Sequence, residues 1–172
     1  MNADPTQPRW LDPGEQIAWR AFLLTSRLLE AALDRDLQAH GLQLSEYEII
    51  SMLSEQPDRR LRMSELAELV VQSRSRLTHT AGRLETRGWV RRQASVGDRR
   101  GVELVLTEAG HAEIVRMAAT HVGSVRANLL DHLSRADFIS LGRSMAAISR
   151  GIQCENDTHA GPVDETQDAI LV

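Results

Sequence analysis

The sequence predicts a mainly α-helical chain carrying one small β-hairpin, and three observations lead there. Apolar residues recur at helical spacing through most of the 172 residues. The five prolines stand ahead of residue 14, at Pro57, and near the C-terminus, so long stretches are free to be helical. Only residues 89–93 and 102–106 read as strands, and they flank a turn-rich segment holding Gly97-Asp98.

The elements follow in order. Residues 1–14 read as a disordered arm, polar and proline-bearing from Met1 to Arg9. Residues 15–39 place Ile17, Ala21, Leu24 and Leu28 on one stripe, widened by Phe22, Leu29, Leu33 and Leu37. That is more apolar surface than one small core needs. His40-Gly41 ends this helix. Ser45-x-x-Glu48 has the form of a capping box for a second helix containing Ile49, Ile50, Met52 and Leu53. After the turn Gln56-Pro57-Asp58, Ser64 is the expected cap of a short helix burying Leu66, Leu69 and Val70. A further helix starts beyond Gln72-Ser73 and stops at Gly88. Behind the hairpin, Thr107 caps a helix with Ile114, Ala118, Val122, Val125 and Leu129. Ser134 opens a last one with Phe138, Leu141, Met145 and Ile148. From residue 151 onward the periodicity ends. Glu155, Asp157, Asp164, Glu165 and Asp168 meet no Lys or Arg there, so 151–172 reads as an acidic, disordered tail.

The net charge of -4 hides an uneven distribution. All 20 basic residues are Arg. Between residues 59 and 100, eleven Arg face only Glu65, Glu68, Glu85 and Asp98, leaving a local +7. Phosphate contacts are local, so such an island matters more than the total. No apolar run approaches the roughly 20 residues of a membrane span, and no apolar leader is visible. One cysteine, Cys154, fits a reducing compartment. The expected location is the cytoplasm, without membrane attachment.

A short helix, a tight turn and a second helix followed by a hairpin is the layout of a winged helix-turn-helix. In the second helix Leu77, Ala81 and Leu84 share one face, which should be its anchor. Ser75, His79, Gly82 and Thr86 share the opposite face, with Arg76 and Arg83 at its edge and no carboxylate among them. Such a face suits the major groove. The expected DNA contacts are Ser73, Arg74, Ser75, Arg76, Thr78, His79 and Arg83 from this helix, and Arg91, Asp98, Arg99 and Arg100 from the wing. An arginine at a wing tip can enter a narrow minor groove.

Met63-Ser64-Glu65-Leu66-Ala67, the helix over 73–88, the wing Gly97-Asp98-Arg99-Arg100 and the run Leu106-Thr107-Glu108-Ala109-Gly110 resemble the MarR family of bacterial transcription regulators. The likeness in layout covers about residues 15–150. It implies a homodimer formed by helices at about 15–40 and 108–150, with a DNA-binding lobe at about 45–106. It further implies a pseudo-palindromic operator and repression relieved by a ligand. By the same resemblance Arg100 is the minor-groove arginine and Asp98 its support.

A small organic effector, anionic or aromatic, is the expected signal, with Trp19, Arg20, Phe22 and Met52 as candidate contacts. A regulator without a ligand stays open as an alternative. So does a winged helix used for protein contacts, since the fold alone does not dictate DNA binding. No cofactor or metal is expected: His40 and His111 lack companions for a tetrahedral set. Nor does any spacing suggest an enzyme, there being no phosphate loop and no nucleophile-base pair.

Overall fold

Asp12 caps the first helix, which starts two residues earlier than the apolar stripe suggests. In the computed structural model, which describes residues 8–95 and 98–159 without the side chains of 98–100 and 155–159, helix α1 spans Pro13–Gln38. Asp12 accepts from the Glu15 amide at 2.9 Å and Glu15 reaches back to the Asp12 amide at 2.9 Å. This is a reciprocal capping box, with Pro13 at the first helical position. At the far end Gly41 has φ 80°. The Leu42 amide donates to the Leu37 carbonyl at 3.2 Å, and both leucines are buried. A left-handed cap thus turns the chain and seals it with an apolar contact.

Helix α2 spans Leu44–Glu55. Its box is not Ser45 with Glu48 but lies two residues earlier: Glu46 accepts from the Gln43 amide at 3.0 Å. The structure next forms a strand that the sequence reading misses, β1 at Arg60–Arg62. Helix α3 is Met63–Leu69. Its first turn is closed by Glu65 accepting from the Arg62 amide at 3.3 Å, so Ser64 is not its cap. Leu66 and Ala67 are buried, whereas Leu69, expected inside, is 45% exposed. Helix α4, Arg74–Thr86, precedes β2, Val90–Ser95, and β3, Asp98–Leu106. The expected two-stranded hairpin is therefore one side of a three-stranded antiparallel sheet ordered β1-β3-β2. Leu61 pairs with Leu104, and Arg92 with Leu104 on the other side.

Helix α5 is Glu108–Asn128. Thr107 caps it as expected, its hydroxyl accepting from the Gly110 amide at 3.1 Å. The chain divides into two units after Asn128. The second contains a 3-10 turn at Leu130–His132 and helix α6, Arg135–His159. Ser134 caps α6 as expected, accepting from the Asp137 amide at 3.1 Å. This helix continues two turns past residue 150, correcting the expected start of the tail. The rest of the tail, from 160, and residues 1–7 of the arm lie outside the described residues. Among the described residues no helix is long and apolar enough to cross a membrane.

The core lies in the first unit and is aliphatic. Ile49, Ile50 and Leu53 of α2 meet Leu66 of α3, Leu77, Ala81 and Leu84 of α4, Leu104 of β3 and Met117 of α5. Helix α1 has two apolar faces: Ala32 and Leu37 are buried, while Ile17, Leu24 and Leu28 are 70%, 60% and 61% exposed. On α5, Met117 is buried in place of Val122, which is 56% exposed.

Tyr47 of α2 packs on His121 of α5 with ring centroids 4.3 Å apart. The His121 Nδ1 is buried without a hydrogen-bond partner, and burial pushes the imidazole below its ordinary value. Between the folded and unfolded values only the unfolded chain binds this proton. The group's contribution is therefore complete above about pH 6.5 and is lost as pH falls through the lower folded value. Urea midpoints at pH 7 and pH 5 are expected to differ more for the native chain than for His121→Gln; equal differences would contradict this assignment.

Candidate nucleic-acid interface

Helices α3 and α4 are joined by residues 70–73, and the joint is tight. Val71 stands at φ 49° and is 91% exposed, an unusual conformation for a β-branched residue. The Gln72 amide donates to the Ala67 carbonyl at 2.9 Å. Ser73 caps α4, accepting from the Arg76 amide at 3.2 Å. The helix ends at Gly88, φ 72°, where the Trp89 amide donates to the Leu84 carbonyl at 3.0 Å.

The phase of α4 is as the sequence predicts. Leu77, Ala81 and Leu84 are buried, joined by Thr80, whose hydroxyl is returned to the Arg76 carbonyl at 3.1 Å. Ser73, Arg74, Ser75, Arg76, Thr78 and His79 are all exposed. The one carboxylate of the helix, Glu85, is turned to the sheet: Arg92 of β2 lies 2.6 Å from it. The outward face is thus cationic and free of negative charge, as phosphate approach requires.

The eleven arginines of the island do not have one role. Arg59 pairs with Glu108 at 3.0 Å and Arg60 with Asp58 at 2.7 Å; both belong to the base of the sheet. Arg92 also donates to the Thr78 carbonyl at 2.8 Å, fastening the wing strand to α4. Arg91 is exposed and donates to Gln93 at 2.6 Å. Arg83, expected among the DNA contacts, is held 3.2 Å from Glu46 and donates to the Gln43 side chain. Asp98, Arg99 and Arg100 have their backbone in β3, while their side chains, and Gly97 altogether, lie outside the described residues.

At the base of the wing, hydrogen bonds from Gln93 and Ser95 hold the Glu103 carboxyl below the usual carboxylate range. The Thr107 amide donates to the Trp89 carbonyl at 2.9 Å. Gly110 packs directly against that carbonyl: a Cβ there would stand 2.1 Å from the Trp89 oxygen. The Leu-Thr-x-x-Gly run is therefore a joint, a cap and a close approach in five residues.

Gly82 is different. A Cβ there meets nothing within 4 Å, so the chain itself does not require glycine. Gly82→Ala is expected to stabilise the free protein by about 1 kcal/mol in urea unfolding, and to lower affinity for duplex DNA by placing a methyl on the outward face. Unchanged affinity would show that nothing approaches closely there.

A cavity of about 880 Å³ opens between α1, α2 and the α3–α4 joint, lined by Arg27, Glu30, Asp34, Glu48, Met52 and Arg76 among others. Burial pushes the Glu48 carboxyl above its usual range, Glu30 adds to this and Arg76 opposes it. Of the four effector contacts expected from sequence, only Met52 lines this space. Trp19 and Phe22 stack on each other at 6.0 Å on the exposed side of α1, and Arg20 is exposed beside them. Among the described residues no group of three or more His, Cys, Asp or Glu is placed to hold a metal ion.

The winged helix-turn-helix has clear relatives. The sequence profile of the MarR family matches residues 40–101. The crystal structure of AbsC, a MarR family transcriptional regulator from Streptomyces coelicolor, is 42% identical and superposes with a TM-score of 0.79, covering 85% of this chain and 99% of AbsC. The chain belongs to the MarR family. A second MarR family regulator of that organism, Sco3205, solved in complex with DNA, is 42% identical with a TM-score of 0.81, over 86% of this chain and 93% of Sco3205. The transcriptional regulator PecS of Dickeya dadantii is 33% identical over 102 residues, 59% of this chain and 61% of PecS. This MarR-family chain thus aligns with about three fifths of PecS, and the proteins that it resembles are regulators rather than enzymes.

Of two parts of the site that the sequence reading missed, one leaves little trace in the sequence. Strand β1 is three residues long, too short for an alternation to register. Glu46 does leave a signal: it stands four residues before Ile50 and seven before Leu53, a carboxylate in core phase.

Proposed function

We propose that the chain is a sequence-specific regulator of transcription that binds double-stranded DNA as a homodimer, with α4 in the major groove and the wing over the adjacent minor groove. The observation that carries this reading is the outward face of α4. Arg74, Ser75, Arg76, Thr78 and His79 stand exposed on a helix whose opposite face is sealed in the core, and its carboxylate is turned away. A face used for protein contacts would more often be apolar. The DNA complex of the 42% identical Sco3205 supports the same use of the fold.

Dimerisation is supported by the unpartnered apolar residues of α1 and by α6, of whose described residues none is buried. Two copies related by a two-fold axis would read half-sites about one helical turn apart, hence a pseudo-palindromic operator. Repression in the cytoplasm, relieved when a small organic ligand enters the cavity beside Met52 and Arg76, completes the proposal. Arg91, Asp98, Arg99 and Arg100 are assigned to the wing contact. Recovery of bound duplexes from a random pool tests it: enriched palindromes are expected, and no enrichment would favour a protein-contact module.

A further inference from the structure

Glu46 is almost wholly buried, at 1% exposure, yet nothing in the DNA-reading function calls for a carboxylate beneath the winged helix. Its surroundings do. Arg83, near the end of α4, and Arg87, its C-cap residue one turn on, both reach it: Arg83 Nε lies 3.2 Å from Oε1 and Arg87 Nη2 lies 3.8 Å from Oε2. The Gln43 amide donates to Oε2 at 3.0 Å, and Arg83 also donates to the Gln43 side chain. Arg87 donates to the Gly41 carbonyl at 2.8 Å, with its guanidinium 4.8 Å from the centre of the Trp89 ring. Two cations of α4 are thus fixed to the corner between α1 and α2. Among the described residues Arg74, in the first turn of α4, makes no ion pair, while the Thr78 carbonyl accepts from Arg92 of the wing.

A buried ion pair is seldom a gain over well-packed apolar residues, because the charges must be taken out of water. An apolar contact, however, tolerates sliding and rotation, whereas a buried carboxylate between two cations restricts both when each cation is also hydrogen-bonded to the α1–α2 corner, Arg83 to Gln43 and Arg87 to Gly41. We propose that Glu46 is the seat of the reading helix: through Arg83 and Arg87 it sets the rotation of α4 against the body, and Arg83 is a positioning residue rather than a base reader. This rests on the DNA-binding function proposed above.

Glu46 cannot touch DNA from its buried place, and that makes it the decisive probe. Glu46→Gln is expected to weaken binding to the preferred duplex at least tenfold, to flatten discrimination across all positions of the half-site, and to leave the salt dependence unchanged. Arg83→Met should show the same loss of discrimination. The paired variant Glu46→Leu with Arg83→Met should recover the thermal stability of the native chain but not its discrimination. Recovery of both would reduce the pair to a structural role and overturn the proposal. So would native binding by Glu46→Gln together with an Arg83→Met effect confined to one base position. Amide exchange in the free protein separates this from the parent reading. Faster exchange across α4 in Glu46→Gln, with α5 unchanged, is expected even if no duplex were preferred, and unaltered exchange would overturn the seat by itself.

Discussion

Gly110→Ala is expected to be strongly destabilising. The added Cβ would lie 2.1 Å from the Trp89 carbonyl oxygen, 2.7 Å from Leu106 Cδ1 and 2.9 Å from the Trp89 carbonyl carbon. Two of these three atoms are backbone, and the carbonyl is already engaged by the Thr107 amide at 2.9 Å, so neither side can yield by a side-chain rotation. Overpacking usually costs about 1–3 kcal/mol where side chains adjust. Against fixed backbone the loss should reach about 3 kcal/mol or more, a large share of the roughly 5–15 kcal/mol that holds a domain together. Urea unfolding measures it. Gly123→Ala, where a Cβ meets nothing within 4 Å, supplies a helical glycine without the clash and should instead be mildly stabilising. A Gly110→Ala chain within about 1 kcal/mol of the native one would mean that α5 does not pack on the end of β2 as described.

The second large effect concerns self-association. Leu24→Glu with Leu28→Glu places two carboxylates on the outward stripe of α1, where the leucines are 60% and 61% exposed. In a single chain such a change should cost little, since the replaced side chains already face water. In a homodimer the same positions would bring four carboxylates into an apolar contact, each costing several kcal/mol to desolvate. Sedimentation should therefore report a folded monomer in place of a dimer, and affinity for a palindromic duplex should fall about a hundredfold or more because each chain then holds one half-site. A dimer unchanged by both substitutions would place the interface elsewhere.

Much of the fold was legible because its signals are periodic or local. The buried face of α4 follows from the spacing of Leu77, Ala81 and Leu84, and its end from Gly88, which takes a positive φ. Thr107 and Ser134 were readable as caps because a hydroxyl at that position has a nearby amide to satisfy. The first capping residues of α2 and α3 were not: Gln43 and Arg62 are not usual caps, and there the work is done by Glu46 and Glu65 reaching back. Leu69 and Val122 read as core by residue type but are exposed, since periodicity tells that a face is apolar and not what covers it. The site was legible as a block of charge. Its division into exposed arginines, such as Arg74 and Arg76, and tied ones, such as Arg59, Arg83 and Arg92, depends on partners 7 to 49 residues away, and composition carries no record of those.

The central claim, that the exposed cationic face of α4 and its wing grip duplex DNA selectively, is tested most directly by salt. Affinity for a duplex enriched from a random pool should fall linearly on a log–log plot against salt concentration. Arg74→Ala should lower that slope by about one, Arg100→Ala should weaken binding, and a scrambled duplex should bind far less tightly. Equal, weak binding to every duplex, indifferent to both substitutions, would contradict the account.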